Sequence, residues 1–162
     1  MPKPLWIVEA NRHMGLKEIK GAKTNNFIAI WLKNLKAWWT DDETPWCGTF
    51  VAHCIQTCNL KLPKDWMRAK AWLNWGQALI KPLVGCVVVF ERKGGGHVGF
   101  VIGRDKSGNL MVLGGNQGDS VKISPFSEDR VVGYRWPTEI SKPVYSPLPL
   151  LESDGKLSTN EA

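Results

Sequence analysis

The chain has 162 residues, a hydrophobic fraction of 43% and nine tryptophans, which is enough apolar side chain for one folded core and too much for a disordered protein. Its apolar runs are far shorter than the roughly 18 residues of a membrane-spanning helix, so we expect no stable membrane insertion. The formal net charge of +6 favours anionic partners in general. Because the basic residues are scattered and not interleaved with aromatic ones in one patch, we do not expect nucleic-acid binding.

The first third of the chain predicts helices. Pro4 to Arg12 is expected to form a short helix that ends near Gly15. Thr24 to Trp39 opens with capping residues and predicts an amphipathic helix. Its apolar residues recur at three- and four-residue steps and are Phe27, Ile30, Trp31, Leu35 and Trp38. A further short helix is expected from Ala69 to Trp75.

The sequence after Pro82 changes to short, valine-rich runs punctuated by glycine. Five strands are predicted from the runs CVVVFE, HVGFVIG, LMVLGGN, SVKIS and VVGYRW. The separators have the length of hairpin turns, so neighbouring strands should be antiparallel. Helices followed by strands predict an α+β fold with N-terminal helices packed on a five-stranded antiparallel sheet. A change to Pro, Ser and acidic residues at Ser141 predicts one folded domain over 1–140 and a flexible tail over 141–162.

Thr44, Pro45 and Cys47 mark the start of a helix, with Thr44 as the cap and Pro45 at the first helical position. Cys47 then lies in the first turn and on the apolar face. There the helix dipole can lower a thiol pKa from about 8.5 to between about 3.5 and 7.5 and so favour the reactive thiolate. The alternative is that Cys47 is a small core residue, which is the fate we expect for the other three cysteines, Cys54, Cys58 and Cys86. We expect all four thiols to be reduced, because their spacing fits neither a disulfide framework nor a zinc site.

A base for Cys47 is predicted in the hairpin between His97 and Asn116. If the turn lies at Lys106 and Ser107, paired residues have numbers that sum to 213, which places Gly99 opposite Gly114 and His97 opposite Asn116. Opposed side chains have Cβ atoms about 4.5 to 5.5 Å apart, so an Asn oxygen could orient the imidazole. The two glycines leave a hollow in which the helix start can approach the sheet. Cys47, His97 and Asn116 then form the nucleophile, base and orienting group of a cysteine hydrolase.

Other aromatic and polar residues have two interpretations each. Trp46, Trp72 and Trp75 are candidates for stacking on a sugar, with core packing as the alternative. Gln117 either lines the cleft or donates to the oxyanion, and a turn position is equally compatible with the sequence. Three further tryptophans, Trp31, Trp38 and Trp136, are expected in the core. His53 is expected to be lateral or solvated, and His13 to lie at a polar helix end.

Several motifs resemble the papain-like, NlpC-type and CHAP-type peptidoglycan hydrolases, particularly small single-domain phage endolysins and related prophage proteins. They lie in order between Leu5 and Pro137 and are TPWCGTFVAHC, AKAWLNWG, GCVVVFERKGGGHVGFVIG, VLGGNQ and GYRWP. The resemblance implies a papain-like NlpC/CHAP fold and cleavage of an amide bond in the peptide part of the bacterial cell wall. It also implies that Cys47 is the nucleophile, His97 the base and Asn116 the orienting residue. No metal or other cofactor is implied, and the acidic run 41–43 lacks the spacing of an EF-hand.

The same resemblance suggests a biological setting. No signal peptide is visible before Gly15, so we expect an enzyme made in the host cytoplasm that reaches the periplasm or cell wall after the membrane is permeabilised. The expected partner is peptidoglycan, and the expected state is a monomer. Two alternatives remain open: an interbacterial amidase toxin with an immunity partner, and a wall-binding protein without catalytic activity.

Overall fold

The computed structural model describes residues 3–19, 24–40 and 45–158. Within these ranges, the part of the chain before residue 81 contains three α-helices, then a 3₁₀ helix at Ala69–Asn74 and one short strand. The helices are α1 (Leu5–Arg12), α2 (Asn26–Asn34) and α3 (Cys47–Gln56). The strands are β1 (Gln77–Leu79), β2 (Val87–Arg92), β3 (Gly95–Arg104), β4 (Leu110–Gln117), β5 (Ser120–Phe126) and β6 (Val131–Trp136).

The strands form one antiparallel sheet in the order β1-β6-β2-β3-β4-β5. The predicted α+β class is confirmed, and the sheet has six strands where five were expected. The additional strand, β1, pairs with β6 from Gln77 opposite Trp136 to Leu79 opposite Tyr134. Three residues are too few to show the alternation by which a strand is recognised in a sequence, so β1 was missed.

Helix α2 is shorter than predicted and buries a different face. The Asn25 side chain caps it by accepting hydrogen bonds from the N–H groups of Phe27 and Ile28. The buried residues are Ile28, Trp31 and Leu32, whereas Phe27 is exposed. The helix ends at Asn34, so Trp38 does not continue the helical face and is 90% exposed. The prediction of a core position for Trp38 is therefore wrong, and it is confirmed for Trp31 and Trp136.

Helix α3 lies in the centre of the molecule, where it contacts β3 and β4 on one side and α1 and α2 on the other. Every residue from Cys47 to Ile55 is buried, because the other two helices cover the face turned away from the sheet. His53 is buried too, so of the two positions expected for it, lateral or solvated, the solvated one is wrong. Trp46 occupies the N-cap position. The cap predicted at Thr44 lies outside the described residues.

The segment after Ser141 forms no further helix or strand up to residue 158, and part of it contacts the sheet. Leu150 makes a parallel bridge with Arg104 at the end of β3. The Leu151 N–H donates to the Arg104 carbonyl at 2.7 Å, and the Arg104 N–H donates to the Pro149 carbonyl at 2.9 Å. The composition of the tail did not predict these contacts, and its flexibility stays a prediction. None of the helices in the described segments has the length and apolar character needed to cross a bilayer.

Candidate active site

Cys47 is the first residue of α3, and its sulfur lies against β3. The sulfur accepts hydrogen bonds from the backbone N–H groups of Val98 and Gly48. Val98 directly follows His97 in β3, so the thiol is next to the strand that carries the predicted base. The residue keeps 5% of its surface exposed. The helix start therefore presents the sulfur to the sheet, as the apolar face of the helix predicted.

The protonation of this thiol is set by burial. Burial raises the pKa of Cys47 above its usual value, and the hydrogen bonds from Val98 and Gly48 together with the charge of Arg92 offset only part of that increase. The lowered pKa expected at the helix start is therefore not found, because the loss of hydration outweighs the local positive potential. Cys47 rests as a thiol near neutral pH. It requires a base to become a nucleophile.

His97 provides an imidazole that is buried and held in one plane. It lies in β3 and is fully buried. Its ring stacks on Phe126 with a centroid distance of 5.3 Å and an interplanar angle of 5°. Its Nε2 atom is 3.0 Å from Oε1 of Gln117. Together the stacking and the hydrogen bond define the orientation of the ring.

The hydrogen bonds of Gln117 determine which nitrogen of His97 carries the proton. The Gln117 Nε2 atom donates to the carbonyl of Val112 at 3.1 Å and to the carbonyl of Lys122 at 2.9 Å. Both amide protons are therefore used, and Oε1 must face His97 as an acceptor. An acceptor at this place requires a proton on Nε2 of the neutral imidazole, which leaves the lone pair on Nδ1. His97 is thus in the tautomer that can accept a proton through Nδ1.

Gln117 makes the hydrogen bond to the His97 ring that was predicted for Asn116. The predicted pairing of β3 with β4 holds where Val101 lies opposite Val112. Farther along β4, the pairing with β5 shifts by one residue between Gly114 and Gln117. Asn116 lies inside this bulge with a φ of 60°. One extra residue moves the next side chain to the other face of a strand, so Gln117 takes the place predicted for its neighbour.

The glycine hollow exists, and it holds the Gln117 side chain and not the helix. A Cβ atom on Gly114 would collide with Oε1 of Gln117. The close approach of α3 occurs one residue later, at Gly115, where a Cβ atom would lie 2.7 Å from Cβ of Phe50 and 2.7 Å from Cζ3 of Trp46. In the bulge-free strand that the sequence predicted, both features would lie at Gly99 and Gly114.

The three tryptophans predicted to stack on a sugar are buried. Trp72 has no exposed surface, and its indole N–H donates to the carbonyl of Trp66 at 3.0 Å. Trp75 donates to the carbonyl of Lys61, and Trp46 donates to the Glu18 carboxylate. With 1% of Trp46 and 6% of Trp75 exposed, none of them offers a ring face to a ligand in this structure. Their place in the core corrects the sugar-stacking prediction. The acidic run 41–43 lies outside the described residues.

Comparison with known proteins finds a family resemblance around this site. The family model of the CHAP domain matches residues 39–116. This segment, just under half of the chain, is similar to a CHAP domain. The match includes Cys47, His97 and Asn116, whereas Gln117 follows its last residue. CHAP domains are generally hydrolases that act on peptidoglycan. No protein in the curated set matches the chain at a significant level.

Proposed function

We propose that the protein is a cysteine hydrolase that cleaves an amide bond in the peptide part of bacterial peptidoglycan. The observation that carries this proposal is the hydrogen bond between Gln117 and His97, which lies one residue before Val98, whose backbone N–H interacts with the Cys47 sulfur. The pair fixes the tautomer that a general base needs, and the hydrogen bond from Val98 holds the sulfur at the strand that carries this base. The similarity to the CHAP domain supports peptidoglycan as the substrate class.

The reaction begins with proton transfer from the Cys47 thiol to Nδ1 of His97. The sulfur then forms a bond to the carbonyl carbon of the substrate amide, and the carbonyl oxygen becomes an oxyanion. As the C–N bond breaks, the imidazolium returns its proton to the departing amine. Gln117 acts as a positioning residue, because its Oε1 atom accepts from the Nε2–H of the ring throughout these steps.

The second half of the reaction releases the acyl group. Water gives a proton to Nδ1 of His97 and adds to the thioester carbon. The C–S bond then breaks, and the imidazolium returns this proton to the sulfur, which restores the thiol and the neutral imidazole. The N–H groups at the start of α3 have no intrahelical acceptor. In the proposed mechanism these N–H groups, with that of Gly48 beside the Cys47 sulfur, stabilise the oxyanion formed in both halves.

Within this activity we propose the role of a phage or prophage endolysin that acts as a monomer on the cell wall. The motifs around Cys47 and His97 support this role through their resemblance to such enzymes. The net charge of +6 supports retention on an anionic wall.

Purified sacculi provide the test of the proposed reaction. Wild type should reduce the turbidity of the suspension, and Cys47→Ala should not, because no other thiol lies beside His97 in the proposed mechanism. Cys58→Ala is the matched control and should retain the activity, since Cys58 lies beyond the end of α3. Mass spectrometry of the released muropeptides should show a new amino group at the cleaved amide. Equal turbidity loss with wild type and Cys47→Ala would contradict the proposal.

A further inference from the structure

Two histidines and a glutamate meet where α1 packs against α3, and we call these residues, Glu9, His13 and His53, the Glu9 cluster. The Nε2 atoms of His13 and His53 each lie 2.7 Å from Oε2 of Glu9. All three candidate ligand atoms lie within 4.8 Å of one another. The cluster is outside the proposed active site, since His53 follows Cys47 by six positions along α3.

The Glu9 cluster is preorganised and still reachable from solvent. The side chains of His13 and His53 are each 11% exposed, and that of Glu9 is 13% exposed. Trp31 stacks on the His53 ring at 4.7 Å and meets the His13 ring edge-on at 4.9 Å. The aromatic contacts hold both imidazoles while leaving their Nε2 atoms directed to Glu9. A small ion can therefore enter without a large rearrangement of the helices.

The charges of the cluster suit a divalent cation. The cluster offers two imidazole nitrogens and one carboxylate oxygen, which are ligand atoms that a divalent cation of the zinc type accepts. Arg12 contacts the other carboxylate oxygen at 3.0 Å, and its side chain is 71% exposed. It can turn into solvent when a cation binds.

We propose that the Glu9 cluster binds Zn²⁺ through Nε2 of His13, Nε2 of His53 and Oε2 of Glu9, with water as the fourth ligand. Two imidazoles and a carboxylate are a ligand set that zinc accepts in sites with an open position. Ligand atoms of tetrahedral zinc lie about 3.3 Å apart when each bond is about 2.0 to 2.1 Å. The two Nε2–Oε2 separations of 2.7 Å would therefore widen by about 0.6 Å, and the two Nε2 atoms, now within 4.8 Å of each other, would take a similar spacing. Each neutral imidazole then carries its single proton on Nδ1.

The consequence is a metal link between α1 and the helix that begins with Cys47. An ion that binds only the folded chain raises its stability by mass action. The proposal does not depend on the hydrolase activity, because the ligands are separate from Cys47, His97 and Gln117. Thermal unfolding therefore tests it directly.

The experiment compares chelator-treated full-length protein with and without ZnCl₂ by scanning calorimetry. For wild type we expect Tm to rise by about 5 to 10 °C at a zinc concentration 100 times Kd. His13→Gln and His53→Gln should each lose most of this rise. Glutamine keeps an amide donor for the Glu9 carboxylate, so both variants are expected to fold.

Cys47→Ala is the matched control, since a thiol beside an imidazole is another place where zinc can bind. This variant should keep the full rise in Tm. With Co²⁺ as the probe, wild type should show visible ligand-field bands without the near-ultraviolet charge-transfer band of a cobalt–thiolate bond. The proposal is overturned by the absence of a rise in wild type, by an unchanged rise in His13→Gln and His53→Gln, by its loss in Cys47→Ala, or by a cobalt–thiolate band.

Discussion

The Gln117 side chain has no freedom to turn its amide over, because its nitrogen donates to two carbonyls and its oxygen accepts from His97. A residue fixed in this way can hold an imidazole in one tautomer without a charge of its own. Removing it leaves a buried N–H on His97 without its acceptor and allows the ring to turn. Both changes affect the base that Cys47 needs, since its thiol pKa is raised by burial.

At the residue scale we therefore predict a contrast between two adjacent side chains. Gln117→Met should lower kcat/KM on soluble stem-peptide substrates by about 10- to 100-fold, because the orienting hydrogen bond is lost while the side-chain volume is kept. Asn116→Gly is the matched control. It removes the neighbouring carboxamide and suits the positive φ of that position, so it should cost much less activity. Steady-state kinetics of both variants check the prediction, and a larger loss in Asn116→Gly would assign the orienting role to Asn116.

The bulge in β4 and the beginning of α3 meet at Gly115, and their contact sets how close the nucleophile helix comes to the sheet. A Cβ atom at Gly115 would lie 2.7 Å from both Phe50 and Trp46. Trp46 is the N-cap residue of α3 and Phe50 lies in its first turn. Added volume there must move the helix or the strand, because both sides are buried.

At the scale of these elements we predict that Gly115→Ala lowers the free energy of unfolding by about 1 to 3 kcal/mol through overpacking. Urea denaturation monitored by tryptophan fluorescence measures the change. Gly95→Ala is the control, since a Cβ atom there meets nothing within 4 Å and the residue has no positive φ. Equal stability of the two variants would show that α3 does not approach the sheet at Gly115.

For the molecule as a whole, a thiol buried in the core makes the free energy of unfolding depend on pH in the alkaline range. Cys86 is fully buried at the start of β2, and burial raises its pKa from 9.0 to about 12. Below pH 9 the thiol is protonated in both the folded and the unfolded chain, so the free energy of unfolding does not change with pH through this group. Between pH 9 and 12 the unfolded chain loses the proton first, and the folded state loses stability.

This difference predicts a pH-dependent effect of Cys86→Ala. Between about pH 8 and about pH 10 the wild type should lose about 1.3 kcal/mol more unfolding free energy than the variant, which has no thiol to ionise at this position. Denaturant unfolding of both proteins at the two pH values measures it. Parallel losses in the two proteins would mean that the Cys86 thiol does not have the raised pKa that its burial gives it.

The sequence by itself determined the order of the elements, the start of α3 near Cys47, and five of the six strands. These features follow from local periodicity and capping, which need no knowledge of distant residues. It also predicted that Cys47 and His97 act together, and in the structure α3 packs against the strand that carries His97. The register predicted from the turn is wrong beside the turn, where Arg104 pairs with Leu110, and it holds at Val101 and Val112 only because a bulge between Val101 and Gly103 shifts the pairing by one residue.

Only the tertiary structure decided which carboxamide faces His97, how burial acts on the Cys47 thiol, and which side chains surround His53. A one-residue bulge moves Gln117 to the face predicted for Asn116, and a bulge depends on how β4 pairs with β5. The pKa of Cys47 depends on how completely its sulfur is buried where α3 packs against β3. Glu9 and His53 are 44 positions apart and meet through helix packing alone. Such contacts join residues that are far apart in the chain, so the local sequence pattern does not predict them.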